Sequence, residues 1–285
     1  MDILVTGGTG TVGSGVVSGL QAAGASVTVL TRSAEKAKLP EGVGVVEGNL
    51  QEPDTVRSVF NGRDGVFLIN TVSPTEAQEG LMSVIGMKEA GVGRVVYLSV
   101  HNVDHAPHLP HFGMKIPVED AIRKSGIPFT ILRPNNFFQN DHWLRDPILE
   151  YGVYPQPLGD VGLSRVDVRD IAEAACIALT SGDHDGQTYN LVGPSAHTGE
   201  STAAVWSEAL GKTIAYGGHD MDAWEAQTLQ YMPASLVFDF RYMFEFFQQE
   251  GLKATDEDIA RLTALLGHPP RSFEDFARET AAEWS

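Results

Sequence analysis

Along the first part of the chain, short unbroken apolar runs alternate with stretches whose apolar residues recur every three or four positions. Ile3-Leu4-Val5 opens the pattern, and Val12, Val16, Val17 and Leu20 follow at helical spacing, with Gly24 closing the helix. The same alternation predicts further strands over 26–31, 43–47, 65–70, 94–100, 127–133 and 189–192. Helices are expected between them: from Pro53, a residue suited to a first helical turn, over 81–90, from Lys115, over 137–151, and one opened by 166–171. Val66-Phe67-Leu68-Ile69 is apolar without interruption, as a parallel strand covered on both faces requires. Strands alternating with helices in this way build right-handed βαβ units. The fold class expected is therefore α/β, a Rossmann-type doubly wound parallel sheet.

Beyond Gly193 the alternation gives way to helices alone, expected over 200–210, 222–231, 235–250, 256–266 and 273–283. Thr255 with Asp258 and Ser272 with Asp275 read as capping boxes, and Gly251 and Gly267 sit where carboxyl caps belong. The aromatic stretch 236–247 alternates well enough to pass for a strand, but its length and polar exit favour a helix. Its rings suit a core more often than a substrate wall. The expected division is a sheet domain over 1–155, with strands also contributed from 160–193, and a smaller, mostly helical lobe over 194–285.

At 285 residues the chain has ample length for a substantial core. A formal net charge of -17 argues against a broad nucleic-acid or anionic-membrane surface, though not against a small basic pocket. No apolar run approaches membrane-spanning length. The single cysteine, Cys176, reads as a small buried hydrophobe within a helix. The first strand starts almost at Met1, leaving no room for a signal peptide, so the expected compartment is the cytoplasm.

The chemistry concentrates at predicted carboxyl ends of strands. Gly7, Gly10 and Gly13 recur every third position between the first strand and the first helix. There, unpaired helix N–H groups can receive a pyrophosphate. Gly7 permits the tight turn, Gly10 the approach of phosphate, and Gly13 close packing of the helix. After the second strand, where an acid would bond a ribose 2′-hydroxyl, the chain has Thr31-Arg32-Ser33 with Lys36 behind. Cations and hydroxyls suit a 2′-phosphate, so NADP(H) is preferred over NAD(H); the alternative for Arg32 is a solvated surface charge. The cofactor-contacting set expected is Gly7, Thr9, Gly10, Thr11, Val12, Gly13, Arg32, Lys36, Asn49, Leu50, Asn70, Thr71, Val72, Lys115, Pro134, Asn136 and Phe137.

Residues 101–117 carry four histidines (His101, His105, His108 and His111), but prolines interrupt them and no cysteine joins them. A mobile lid over a ligand fits this stretch better than a metal site, and no metal is expected. Lys115 suits ribose hydroxyls or a neighbouring acid; the competing reading is a surface ion pair with Glu119. Asn136 and Phe137 suit a nicotinamide or substrate pocket, or a polar turn. Asp167 and Asp170 read as first-turn structural acids.

Taken together, Thr6-Gly7-Gly8-Thr9-Gly10-Thr11-Val12-Gly13, Thr31-Arg32-Ser33, Thr130-Ile131-Leu132-Arg133-Pro134-Asn135-Asn136-Phe137-Phe138, Val166-Asp167-Val168-Arg169-Asp170 and the stretch 266–273 resemble the NmrA-like branch of atypical short-chain dehydrogenase/reductases. The resemblance spans nearly the whole chain. It implies NADP binding, and either reductases of quinones, dyes or aromatic ethers or regulators that sense the cofactor without turnover. Two departures stand out. The superfamily's Tyr-x-x-x-Lys pair appears as His111-x-x-x-Lys115, and Asn49 stands where an aspartate often lies near adenine. The lysine's role carries over; the proton-donating role falls to His111 or to solvent. The function expected is NADPH-dependent reduction of a small aromatic, quinone, carbonyl or imine-type substrate, with the cofactor-sensing regulator as the alternative. A homodimer is compatible with either, and a protein partner with the second.

Overall fold

The computed structural model describes residues 1–284. In chain order the first elements are β1 (Asp2–Thr6), α1 (Thr11–Ala22), β2 (Ser26–Thr31), β3 (Gly44–Glu47), α2 (Pro53–Val59), β4 (Gly65–Leu68), α3 (Glu76–Ala90), β5 (Val95–Leu98), α4 (Pro110–Gly113), α5 (Lys115–Ser125) and β6 (Phe129–Pro134). They are followed by α6 (Arg145–Glu150), β7 (Val153–Tyr154), α7 (Val168–Thr180), β8 (Gln187–Leu191), α8 (Gly199–Leu210) and β9 (Ala215–Tyr216). Helices α9 (Met221–Thr228), α10 (Ala234–Gln249), α11 (Asp256–Leu266) and α12 (Phe273–Trp284) end the chain.

The chain divides into two compact units, one of residues 1–134 and 168–190, the other of residues 135–167 and 191–285. Residues 135–155, grouped with the sheet domain in the sequence reading, thus fall in the second unit. The first unit holds the sheet, in the order β3-β2-β1-β4-β5-β6-β8. β1 pairs in parallel with both β2 and β4, with Val5 opposite Val29 on one side and Phe67 on the other. The strand order therefore reverses between β1 and β4. In open sheets this switch point leaves a crevice beyond the strands' carboxyl ends.

One face of the sheet is covered by α2, α3 and α5. Val56, Val59, Val84, Met87, Val118 and Ile122 pack there with Leu4, Leu30, Val66, Leu68, Val95 and Tyr97 from the strands. On α1 and α7, which pack together, Val16, Val17, Ala174, Ala175 and Leu179 are fully buried. Ile3, Leu4 and Val5 have no exposure at all. That explains the unbroken apolar runs: neither face of a central parallel strand meets water.

Several boundaries move. α3 starts at Glu76, five residues ahead of Leu81, with Glu76 and Glu79 as acids that complement the dipole of its first turn. The single helix expected over 137–151 is instead a stretch of 3₁₀ turns (Phe138–Leu144) followed by α6. Pro147 has no N–H to give to the carbonyl of residue 143, so one continuous α-helix cannot run through it. The two-residue strands β7 and β9 pair with each other and are too short to leave a periodic trace. The segment 101–114 is not the loose lid that its prolines and polarity predict. His101, Val103, Ala106, Leu109, His111 and Phe112 are all buried, and α4 forms within it.

Within the second unit, α10 settles the ambiguous aromatic stretch as a helix. Val237, Met243, Phe244 and Phe247 are buried, while the Phe238 and Tyr242 rings meet at a tilt, their centres 4.8 Å apart, on its exposed side. Arg165, Asp141, Tyr154 and Trp206 form the polar centre of this unit, all fully buried. Arg165 Nη2 donates to Asp141 Oδ1 at 2.7 Å, and Trp206 Nε1 donates to Asp141 Oδ2 at 3.0 Å. Among the described residues, no helix is long and apolar enough to cross a membrane.

Candidate cofactor site

The glycine turn is built as its spacing suggests. Gly7 has φ +63°, a left-handed conformation, and a Cβ there would lie 2.6 Å from Ile69 Cγ2. The Gly10 N–H closes the turn on the Gly7 carbonyl at 2.9 Å. A Cβ on Gly13 would sit 2.1 Å from that same carbonyl oxygen, so only glycine lets α1 seat on the turn. Gly10 is the N-cap of α1; no side chain caps the helix and no acid occupies its first turn. Its leading N–H groups and partial positive charge are therefore left for an anion.

The turn forms one end of a groove of about 480 Å³ at the carboxyl ends of β1 to β4. Of the residues expected at a cofactor, Gly7, Thr9, Gly10, Arg32, Lys36, Asn49, Leu50, Asn70 and Thr71 line it. Arg32 and Lys36 are exposed and form no ion pair among the described residues. In a chain of charge -17, two such cations in one groove make a local anion site. The side-chain oxygen of Asn49 accepts the Gln51 N–H at 3.1 Å, shaping the turn after β3 as an aspartate would.

Asn70 is the residue most in need of a ligand. It is buried, and neither its Nδ2 nor its Oδ1 has a hydrogen-bond partner. An unpartnered buried amide costs about 1–3 kcal/mol. Here a cradle that side chains would fill, a free helix N-terminus, two cations and an unsatisfied amide share one groove. This donor set fits a phosphorylated dinucleotide.

Other expected residues lie elsewhere. Thr11, Val12 and Gly13 belong to the first turn of α1, with Val12 and Gly13 facing inward, and Val72 is exposed beyond β4. His111 is buried in α4, its ring edge-on to Phe112 at 4.8 Å. Pro134 ends β6. Lys115 is buried and ion-paired with Glu76, not with Glu119. Glu119 instead accepts from Arg133 at 2.6 and 2.9 Å and from Arg123 at 2.7 Å. The surface pair expected from i,i+4 spacing is absent because Glu119 faces inward, 1% exposed, toward arginines on α5 and β6. Asn136 and Phe137 lie in the second unit. There Asn136 Oδ1 accepts from Arg165 Nε at 3.1 Å, and the Phe137 carbonyl accepts from Arg165 Nη2 at 2.7 Å.

Gln51 and Glu79 are among the groove residues outside the expected set. Gln51 Nε2 donates to Glu79 Oε1 at 2.9 Å and to Thr75 Oγ1 at 3.1 Å, closing one wall. The sequence signal for Gln51 was its position shortly after β3; Glu79, in the first turn of α3, carried none. Asp167, expected as a structural acid, accepts from Gln139 Nε2 at 2.9 Å, and Asp170 is fully buried.

The model of the NmrA-like family matches residues 1–277. The chain is 33% identical over 285 residues to an NAD(P)H azoreductase of Xenophilus azovorans, covering 98% of each. It is also 33% identical over 282 residues to a (4-alkanoyl-5-oxo-2,5-dihydrofuran-3-yl)methyl phosphate reductase of Streptomyces griseus, again with 98% of each covered. Among solved structures, the NADPH-dependent quinone oxidoreductase of Escherichia coli, complexed with NADPH, superimposes with a TM-score of 0.86. That match is 25% identical and covers 98% of this chain and 99% of that one.

Proposed function

The chain belongs to the NmrA-like family, and from that premise we propose that it is an NADPH-dependent reductase of small aromatic substrates of the quinone, azo, carbonyl or imine type. The groove carries this reading: the glycine turn, Arg32, Lys36 and the unsatisfied Asn70 line one cleft at the switch point of the sheet. Two reductases at 33% identity over essentially the full chain support turnover over cofactor sensing alone. The cytoplasm, where reduced cofactor is regenerated, is the compartment the reading implies.

NADPH, when bound, supplies the hydride. The protein's own residues supply binding and orientation. The N–H groups at the start of α1 hold the pyrophosphate, and Arg32 with Lys36 neutralises the 2′-phosphate. Asn49 and Leu50 would border the adenine, Asn70 and Thr71 a ribose, and Lys115 would hold the nicotinamide ribose. Because a quinone accepts hydride readily, correct placement does most of what the protein must do. The proton that completes the reduction comes from His111 or from solvent.

Arg32→Glu tests the cofactor assignment. It is expected to weaken NADPH binding by on the order of 100-fold, about 2.7 kcal/mol, while changing NADH little. Equal losses for both cofactors overturn the 2′-phosphate role. Replacing His111 by Phe is expected to slow reduction of menadione and to flatten its pH profile. An unchanged rate and profile assign the proton to solvent.

A further inference from the structure

Lys115 opens α5, and its ammonium forms an ion pair with Glu76, in the first turn of α3. The Glu76 side chain has no exposure and that of Lys115 only 8%. The Lys115 Nζ also lies 5.9 Å from the centre of the Tyr97 ring. Both helices cover the same face of the sheet, through Val84, Val118 and Ile122.

A second observation marks this corner as a ligand-facing one. Asn70 Nδ2 and Oδ1, Tyr97 Oη and Ser99 Oγ are buried without a hydrogen-bond partner. Leu68 pairs with Tyr97 between β4 and β5, and the β5 backbone continues its pairing as Ser99 donates to the Leu132 carbonyl at 2.8 Å. Strand alternation therefore puts Ser99 on the same face as Tyr97, the face that α3 and α5 cover. Asn70 lies two residues past Leu68, beyond the carboxyl end of the neighbouring β4, and also lines the groove. A buried ion pair stabilises a fold little compared with an apolar pair of the same volume. Its presence beside Tyr97, whose hydroxyl is unsatisfied, is better explained by what the ammonium does.

We propose that Glu76 is the positioning residue for Lys115: its buried carboxylate holds the ammonium at the carboxyl ends of β4 and β5, where Lys115 serves the cofactor. The inference rests on the reading of Lys115 as a cofactor contact. Glu76 itself touches neither cofactor nor substrate. Without it the ammonium lacks its buried counter-ion, and the long, flexible lysine side chain is free to take other rotamers.

The test compares Glu76→Gln, Glu76→Asp, Lys115→Met and the double variant Glu76→Met/Lys115→Met. NADPH binding is followed by quenching of protein fluorescence, kcat and KM with menadione, and stability by thermal unfolding. Glu76→Gln is expected to weaken NADPH roughly tenfold and to lower kcat with little change in KM for menadione, and Glu76→Asp to do the same to a smaller extent. The double variant, with no buried charge left alone, is expected to recover the unfolding temperature but to bind NADPH as weakly as Lys115→Met. If the double variant recovers both stability and NADPH affinity, the pair is only structural and the inference falls. If Lys115→Met is impaired while Glu76→Gln and Glu76→Asp match the unaltered protein, the inference falls and the role of Lys115 stands. If Lys115→Met binds and turns over as the unaltered protein does, the reading of Lys115 falls, and the inference with it.

Discussion

Single residues show how far local chemistry can be read. Gly7 and Gly13 are legible because a positive φ and a 2.1 Å clash are conditions only glycine meets, and their spacing records both. The place of Arg32 in the groove is legible from its offset after the second strand. Lys115 is half legible: its place at a helix start could be read, its partner could not. Glu76 looks in sequence like any first-turn acid complementing a helix dipole, and nothing local reports that it is fully buried. Cys176, expected as a small buried hydrophobe, is half-buried in α7. Burial, aided by the charge of Glu173, pushes its pKa up to about 12, and its Sγ–H lies 3.5 Å from the Val16 carbonyl. A raised thiol pKa means that the folded state keeps its proton where the unfolded chain loses it. The thiol should therefore react with a disulfide reagent at pH 8 far more slowly in the folded protein than in urea. The same shift should lower stability as pH rises above about 9. Equal labelling rates in the two states would show that the thiol is not shielded.

At the scale of elements, hydrophobic periodicity placed the long segments well and the short ones poorly. β2 and α11 match their expected bounds, and α10 resolves in favour of a helix because sixteen residues suit a helix and not a strand. Two of the elements that moved are set by local groups that periodicity does not see: the first-turn acids of α3, and Pro147 at α6. Capping is one element-level signal that held in detail. Thr255 Oγ1 accepts the Asp258 N–H at 3.1 Å, and Asp258 Oδ2 accepts the Thr255 N–H at 2.9 Å. Thr255→Ala should destabilise the protein by about 1 kcal/mol, read from the denaturant midpoint, without altering NADPH affinity. A change in affinity would mean that α11 matters to the site, not only to the fold.

For the molecule as a whole, the groove makes folding and cofactor binding one linked equilibrium. A ligand that binds only the folded chain stabilises it by about 2.7 kcal/mol at one hundred times its dissociation constant. NADPH should therefore raise the unfolding temperature more than NADH at equal concentration, and Arg32→Glu should abolish that difference. If the two cofactors shift the unfolding temperature equally, the groove does not discriminate the 2′-phosphate. The second unit is assembled from 135–167 and 191–285, with its buried Arg165–Asp141 pair drawn from the earlier segment. A linear cut through the sequence cannot represent that arrangement.

By itself the sequence determined the parallel sheet, the order of its helices, the tight glycine turn before α1 and the place of Arg32 in the groove beside it. Each of these depends on spacing between residues near in the chain: a period of two or three to four, a glycine every third place, a cation a fixed distance after a strand. Only the tertiary structure decided which charges pair, which polar groups are left unsatisfied, and that 101–114 packs as a folded segment. Glu76 and Lys115 are thirty-nine positions apart in the sequence, and they meet because α3 and α5 cover one face of the sheet. Burial and pairing at that separation follow from how helices close over strands, and local pattern carries no record of it.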